Sequence, residues 1–298
     1  RGLRLNLTIA GKAPAWASGD KKLNAKGTFK PNARLYGKFV GTVVKRYKGK
    51  VDSYSIWNEP NHKGWIQPVA QSPRIYRALY TYGYKAAKKA DPAAKVWFGE
   101  LAPYASVKGV ALEPLIFLRQ AFCLDSRNRP DGRQCSTLKA DAFAYHPYDF
   151  ARSPTQRFKG VRGVSSKDCV TMANLGDLTK VINALARNKR LVKANGRAGG
   201  LELNLTEFGY FASKRPGGKA KVFPAKTRAK YLVKGFKIAQ ANKRVKSMLQ
   251  FLLYQYPSDT FNFDTSIVRL DGTPTAPYEK LASWAKSAVA KGDIEDGP

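Results

Sequence analysis

The sequence predicts a parallel α/β fold. A rhythm of short apolar run, loop and amphipathic helix recurs six times along the chain. The apolar runs are nearly continuous rather than alternating, as in strands covered on both faces by helices. No internal repeat and no Gly/Ser-rich linker divides the 298 residues.

The runs that read as strands lie at residues 3–10, 51–58, 95–99, 140–146, 201–208 and 245–254. Helices fit between and after them, at 31–47, 73–90, 112–122, 175–186, 224–241 and 277–290. The first places Leu35, Phe39, Val43 and Val44 at helical spacing. The second opens after Ser72 with Pro73 in its first turn, a position where the missing N–H costs nothing.

Such units build either an open doubly wound sheet or a closed barrel. A nucleotide-binding sheet carries a glycine-rich turn after its first strand. Here that strand runs into Gly11-Lys12-Ala13-Pro14-Ala15-Trp16, which does not cradle phosphate. Polar and aromatic residues gather instead where strands end. That is the layout of a (β/α)8 TIM barrel, whose site lies at the C-terminal ends of its strands. Eight strands are needed and six are legible. The expectation is therefore one barrel domain over residues 1–298 with its first two βα units missing. The alternative is that a loop supplies closure. Residues 160–172, with Val161, Val164 and Val170, are the best candidate.

Composition narrows the function. With 43% hydrophobic and 12% aromatic residues the chain can bury a substantial core. No apolar run is long enough to span a membrane. Lys and Arg total 53 against 21 Asp and Glu, a net charge of +32. The basic residues are spread over the helices, and no nucleic-acid-binding signature accompanies them, so a nucleic-acid partner is not expected. A solvated basic surface, or attraction to an acidic polymer such as a cell-wall glycan, fits better. Two histidines and three scattered cysteines offer no metal-ligand spacing, and no cofactor is expected. Cys123 and Cys135 bracket a polar loop, and a disulfide between them suits a secreted or extracellular protein. Three reduced thiols in a cytoplasmic protein remain the other reading.

Glutamate is scarce, with only seven in the chain. Glu59 and Glu207 each end an apolar strand, in Ser55-Ile56-Trp57-Asn58-Glu59-Pro60-Asn61 and Leu203-Asn204-Leu205-Thr206-Glu207-Phe208-Gly209. A carboxylate at a buried strand end is costly unless it is paired or used. Taken singly, either is equally a salt-bridged cap on the core. Together they suggest glycoside hydrolysis, in which one carboxyl protonates the leaving oxygen and another, ionised, acts at the anomeric carbon.

The segment Trp57-Asn58-Glu59-Pro60-Asn61 closely resembles the acid/base motif on the fourth strand of clan A glycoside hydrolases. Thr206-Glu207-Phe208-Gly209 resembles the nucleophile motif on their seventh strand. His146-Pro147-Tyr148 resembles the sixth-strand His-x-Tyr of glycoside hydrolase family 5, the cellulase-like family. Family 39, which also uses Trp-Asn-Glu-Pro, is a close second. The resemblance covers barrel strands three to eight in order.

It implies a retaining hydrolase of β-linked glycosides. Glu59 would be the general acid/base and Glu207 the nucleophile. Asn58 would bond the sugar 2-hydroxyl, Tyr148 would hold Glu207, and His146 would contact the sugar or the acid/base. Trp16 and Trp65, after the first and second predicted strands, are candidates for stacking on sugar faces. Glu100 ends the third predicted strand and is a candidate for reaching the cleft, while His62 is a loop residue beside the acid/base.

Two departures stand out. The clan places an arginine beside the nucleophile, and neither Arg1 nor Arg4 fits that position. It also ends its last strand with tryptophan, where this chain reads Leu253-Tyr254-Gln255-Tyr256, so Tyr254 or Tyr256 is expected to replace it. Two other functions fit the residues: an inactive carbohydrate-binding barrel, or a basic polymer-binding protein of the cell envelope.

Overall fold

A computed structural model describes residues 2–20, 22–24, 26–105, 107–213, 221–257 and 263–295. The chain order is β1 (Asn6–Ile9), α1 (Ala33–Arg46), β2 (Ser53–Ile56), α2 (Ser72–Ala90), β3 (Lys95–Leu101), α3 (Pro114–Ala121), β4 (Leu138–Ala140), β5 (Ala142–Tyr145), α4 (Leu175–Arg187), β6 (Leu191–Lys193), β7 (Leu203–Phe208), α5 (Ala225–Ala241), β8 (Val245–Gln250) and α6 (Ala276–Ala290). Each predicted strand and helix is present, with ends shifted by a few residues. Asn32 explains one such shift: its side chain accepts the backbone N–H groups of Arg34 and Leu35 and caps α1.

The main sheet has six parallel strands in the order β1-β2-β3-β5-β7-β8. It curls into a half-barrel with flanking helices, consistent with an incomplete (β/α)8 barrel. Among the described residues no strand joins β1 to β8. Residues 160–172 do not close the gap. They form turns in which Val161 and Val164 pair locally, and Val164 and Cys169 pack on Ala105, Ala111 and Phe158. The short pair β4 and β6 forms a separate two-stranded sheet. With three residues each, these strands are too brief for any hydrophobic period to announce them.

The core is aromatic at its centre. Phe98 on β3 contacts Tyr76 and Tyr80 of α2, together with Phe122 and Phe143. All four residues of β5 are buried, which a strand with neighbours on both edges and helices outside requires. The expected strand over 245–254 stops at Gln250. Cys123 and Cys135 are joined as a disulfide, and Cys169 is free and buried. No described helix is long and apolar enough to cross a membrane.

Candidate active site

Parallel strands point their C-terminal ends the same way, so side chains far apart in sequence meet on one rim. The end of β2 carries Glu59, that of β3 Glu100, that of β5 His146 and Tyr148, and that of β7 Thr206 and Glu207.

The backbone leaves regular geometry to aim these groups. Trp57, Glu59 and Glu100 have φ of 66°, 34° and 51°. Non-glycine residues hold such angles at a cost of about 1–3 kcal/mol each, so the surroundings must enforce them. Tyr36, from α1, places its hydroxyl between the Ile9 carbonyl, to which it donates, and the Trp57 N–H, from which it accepts. The Glu59 N–H donates to the Glu100 carbonyl at 2.8 Å. Asn61 clamps the next loop: its amide donates to the Ala102 and Leu112 carbonyls, and its oxygen accepts the Ala102 N–H.

Glu100 is the extra residue of a β-bulge, where the register against β5 shifts between Gly99 and Leu101. Gly99 makes the bulge, since at its φ of 128° a Cβ would collide with the Ala144 carbonyl. The bulge turns the Glu100 carboxylate inward, where it is 1% exposed. Its Oε2 accepts from Thr206 and lies 2.8 Å from His146 Nε2. Its Oε1 is buried with no hydrogen-bond partner.

His146 joins three carboxylates. Its Nδ1 is 3.2 Å from Glu59 Oε1, and its Nε2 is 3.6 Å from Glu207 Oε1 as well as close to Glu100. Glu59 Oε1 and Glu207 Oε1, both on this imidazole, lie no more than roughly 9 Å apart, a bound that admits the closer carboxyl pair of retaining glycosidases and the wider pair of inverting ones. Tyr148 donates its hydroxyl to Glu207 Oε2 at 3.0 Å.

The charges follow from this packing. Burial works against a protonated His146, but the Glu207 charge and the bonds to Glu100 and Glu59 outweigh it and hold the ring well above its usual range. Burial also penalises an ionised Glu59, yet the hydrogen bond and charge of His146 prevail and keep that carboxyl below its usual range. Glu207 is pushed up to about 7 by burial, helped by the charges of Glu59 and Glu100 and opposed by His146 and Tyr148. The two groups titrate as a pair. Burial therefore favours the neutral form at Glu207, while His146 favours the charged form at Glu59.

The other expected residues fall into two groups. Asn58 flanks Glu59, half-buried, and Trp65 packs on the core and donates its indole N–H to Glu59. His62 Nδ1 accepts the Gly64 N–H and shapes the same loop. By contrast, Trp16, Tyr254 and Tyr256 are 68%, 57% and 53% exposed, on loops beyond the two edge strands. Arg4 pairs with Glu295, away from Glu207, and Arg1 lies outside the described residues.

An aromatic wall escaped the sequence reading. Phe150 stacks on Tyr148, and Phe211 and Phe263 pack on Phe150. The visible signal was the pairing of aromatics just past two strands, in Tyr148-Asp149-Phe150 and Tyr210-Phe211.

No protein-family model matches the chain. Endo-1,4-beta-xylanase 3 of Hypocrea jecorina is 25% identical over 202 residues, 61% of this chain and 56% of that protein. The chain thus spans just over half the length of the curated relatives it matches. Among solved structures, a family 39 glycoside hydrolase from Bacteroides cellulosilyticus WH2 superposes with a TM-score of 0.56 at 15% identity, over 94% of this chain and 57% of that one. A glucosidase from Croceicoccus marinus gives 0.54 at 16% identity, over 93% and 49%. A family 128 endo-beta-1,3-glucanase from Sorangium cellulosum gives 0.51 at 13%, over 95% and 96%. The resemblance to clan A glycoside hydrolases holds. At these identities the solved neighbours establish the fold, and families 5 and 39 are both consistent with them.

Proposed function

We propose that this chain carries the catalytic residues of a hydrolase that cleaves β-linked glycosides with retention. Glu59 acts as acid/base and Glu207 as nucleophile. The arrangement that carries the reading is one imidazole between two strand-end carboxylates, with Tyr148 donating to the second.

In the first step the Glu59 acid protonates the leaving oxygen while the Glu207 carboxylate attacks the anomeric carbon and forms a glycosyl ester. In the second, Glu59 takes a proton from water, which opens that ester. In the free site burial favours protonation of Glu207 over Glu59, the opposite of what this sequence needs. A bound sugar corrects it from both ends. The glycosidic oxygen beside Glu59 accepts a hydrogen bond only from its acid form, and positive charge developing beside Glu207 favours its carboxylate form.

The raised Glu207 also supports the reverse assignment, with Glu207 as acid and Glu59 as nucleophile. One experiment separates them. With an activated aryl β-glycoside and azide, Glu59→Ala is expected to yield a β-glycosyl azide, and Glu207→Ala none. A β-glycosyl azide from Glu207→Ala and none from Glu59→Ala would reverse the roles, an α-glycosyl azide from Glu207→Ala would support it as nucleophile, and full activity in both variants would refute the site.

The xylanase relative makes β-1,4-linked xylan the first polysaccharide to test. The disulfide supports a secreted or extracellular location. The unpaired edges of β1 and β8 support a single catalytic barrel domain that two further βα units would complete.

A further inference from the structure

Folding gathers the positive charge of two helices into one furrow. Neither α1 nor α2 contains an acidic residue. The two pack in the same direction and in step. A Cβ on Gly37 would press on Tyr82, and one on Gly41 would touch Ala86. This close approach brings two outer stripes side by side. Arg34, Lys38 and Lys45 line α1, while Tyr82, Lys85 and Lys89 line α2, and all six are exposed. The stripes meet where the Arg34 guanidinium bonds the Tyr82 hydroxyl at 3.2 Å. No ion pair among the described residues neutralises any of these cations; the nearby Lys88 is the one that pairs, with Asp141. Like charges held in facing rows repel.

We propose that the furrow between α1 and α2 is a docking surface for an acidic polysaccharide. It would anchor the protein on the acidic glycan among which its substrate lies, and in that respect it rests on the glycoside-hydrolase reading. Side chains one turn apart on a helix are about 5–6 Å apart. Arg34 and Lys38 on α1, and Lys85 and Lys89 on α2, stand at that interval, which is comparable to one sugar ring in an extended glycan, and Lys45 lies two turns beyond Lys38. Tyr82 adds a ring face between the rows. A nucleic acid is a poorer fit. Duplex readers insert an element into a groove, and single-strand binders offer a series of stacking aromatics. This surface is two helices lying flat, with four lysines, one arginine and one tyrosine.

The test compares two variants of equal charge. Lys38, Lys45, Lys85 and Lys89 are changed together to Gln. The control changes Lys226, Lys230, Lys234 and Lys237, an exposed stripe on α5, to Gln. Binding to polygalacturonate is measured against salt, beside neutral xylan and poly(dT), with turnover of a small aryl glycoside followed in parallel. The expected result is salt-sensitive binding of polygalacturonate that falls tenfold or more in the α1/α2 variant and little in the control. Equal losses in both variants would reduce the effect to net charge and overturn the proposal. So would unchanged binding in the α1/α2 variant, or tighter binding of poly(dT) than of polygalacturonate at the same salt. Turnover is read separately: its absence with furrow binding intact would sink the hydrolase reading alone, and intact turnover without furrow binding would sink this one.

Discussion

The middle of the sheet and its two edges are built differently. β5 buries all four residues, and β3 buries five of seven. On the edges, β8 has no fully buried residue and β1 only Ile9. Glu100, His146, Tyr148 and Glu207 belong to the middle strands or their ends, with Glu59 on the neighbouring β2. The exposed aromatics Trp16, Tyr254 and Tyr256 follow the edges. A charge network needs fixed distances and a low dielectric, which only doubly covered strands provide. Stacking on a sugar tolerates looser placement.

The comparison breaks or sharpens through substitution. The largest effect is expected for Glu207→Ala, a fall in kcat on the order of 10⁴-fold or more. A loss under tenfold would place the chemistry elsewhere. Next comes the middle of the core: Phe98→Ala should cost about 3–5 kcal/mol in urea unfolding. Leu249→Ala on β8, where the residue is 45% exposed, should cost under about 1 kcal/mol. Comparable costs at the two positions would show that the edge is as well covered as the centre.

A smaller change is expected at the bulge. Glu100→Gln keeps the shape and removes a charge that raises both His146 and Glu207. The alkaline limb of kcat should move to lower pH, with kcat reduced on the order of 10²-fold. If Glu100 only packs, the profile will not move.

Stability should carry a related signature. The Glu207 carboxyl has its pKa raised from 4.5 to about 7, so the folded state holds a proton that the unfolded chain releases earlier. That contribution is complete below about 4.5 and is lost as pH rises through about 7. Over this interval Tm should fall further in the native protein than in Glu207→Gln, by about 5 °C. Parallel curves would remove burial as the cause. The smallest effect belongs to the edge aromatics. Tyr254→Ala should raise KM about fivefold and leave Tm unchanged, consistent with the loss of one stacking contact.

By itself the sequence determined the six βα units, because continuous apolar runs and helical spacing depend only on near neighbours. It also marked Glu59 and Glu207, since a glutamate closing an apolar strand is conspicuous wherever the chain later goes. The tertiary structure decided what local pattern does not encode. Glu100 became the carboxylate bound to His146 only through the bulge at Gly99, a backbone event with no hydrophobic signature. Phe150, Phe211 and Phe263 formed a wall only because loops from different strands converge. Basic residues that read as scattered became facing rows once α1 and α2 packed in step. The preference for a proton on Glu207 arises the same way. It depends on burial and on charges brought by three other strands, distances that exist only after the sheet has formed.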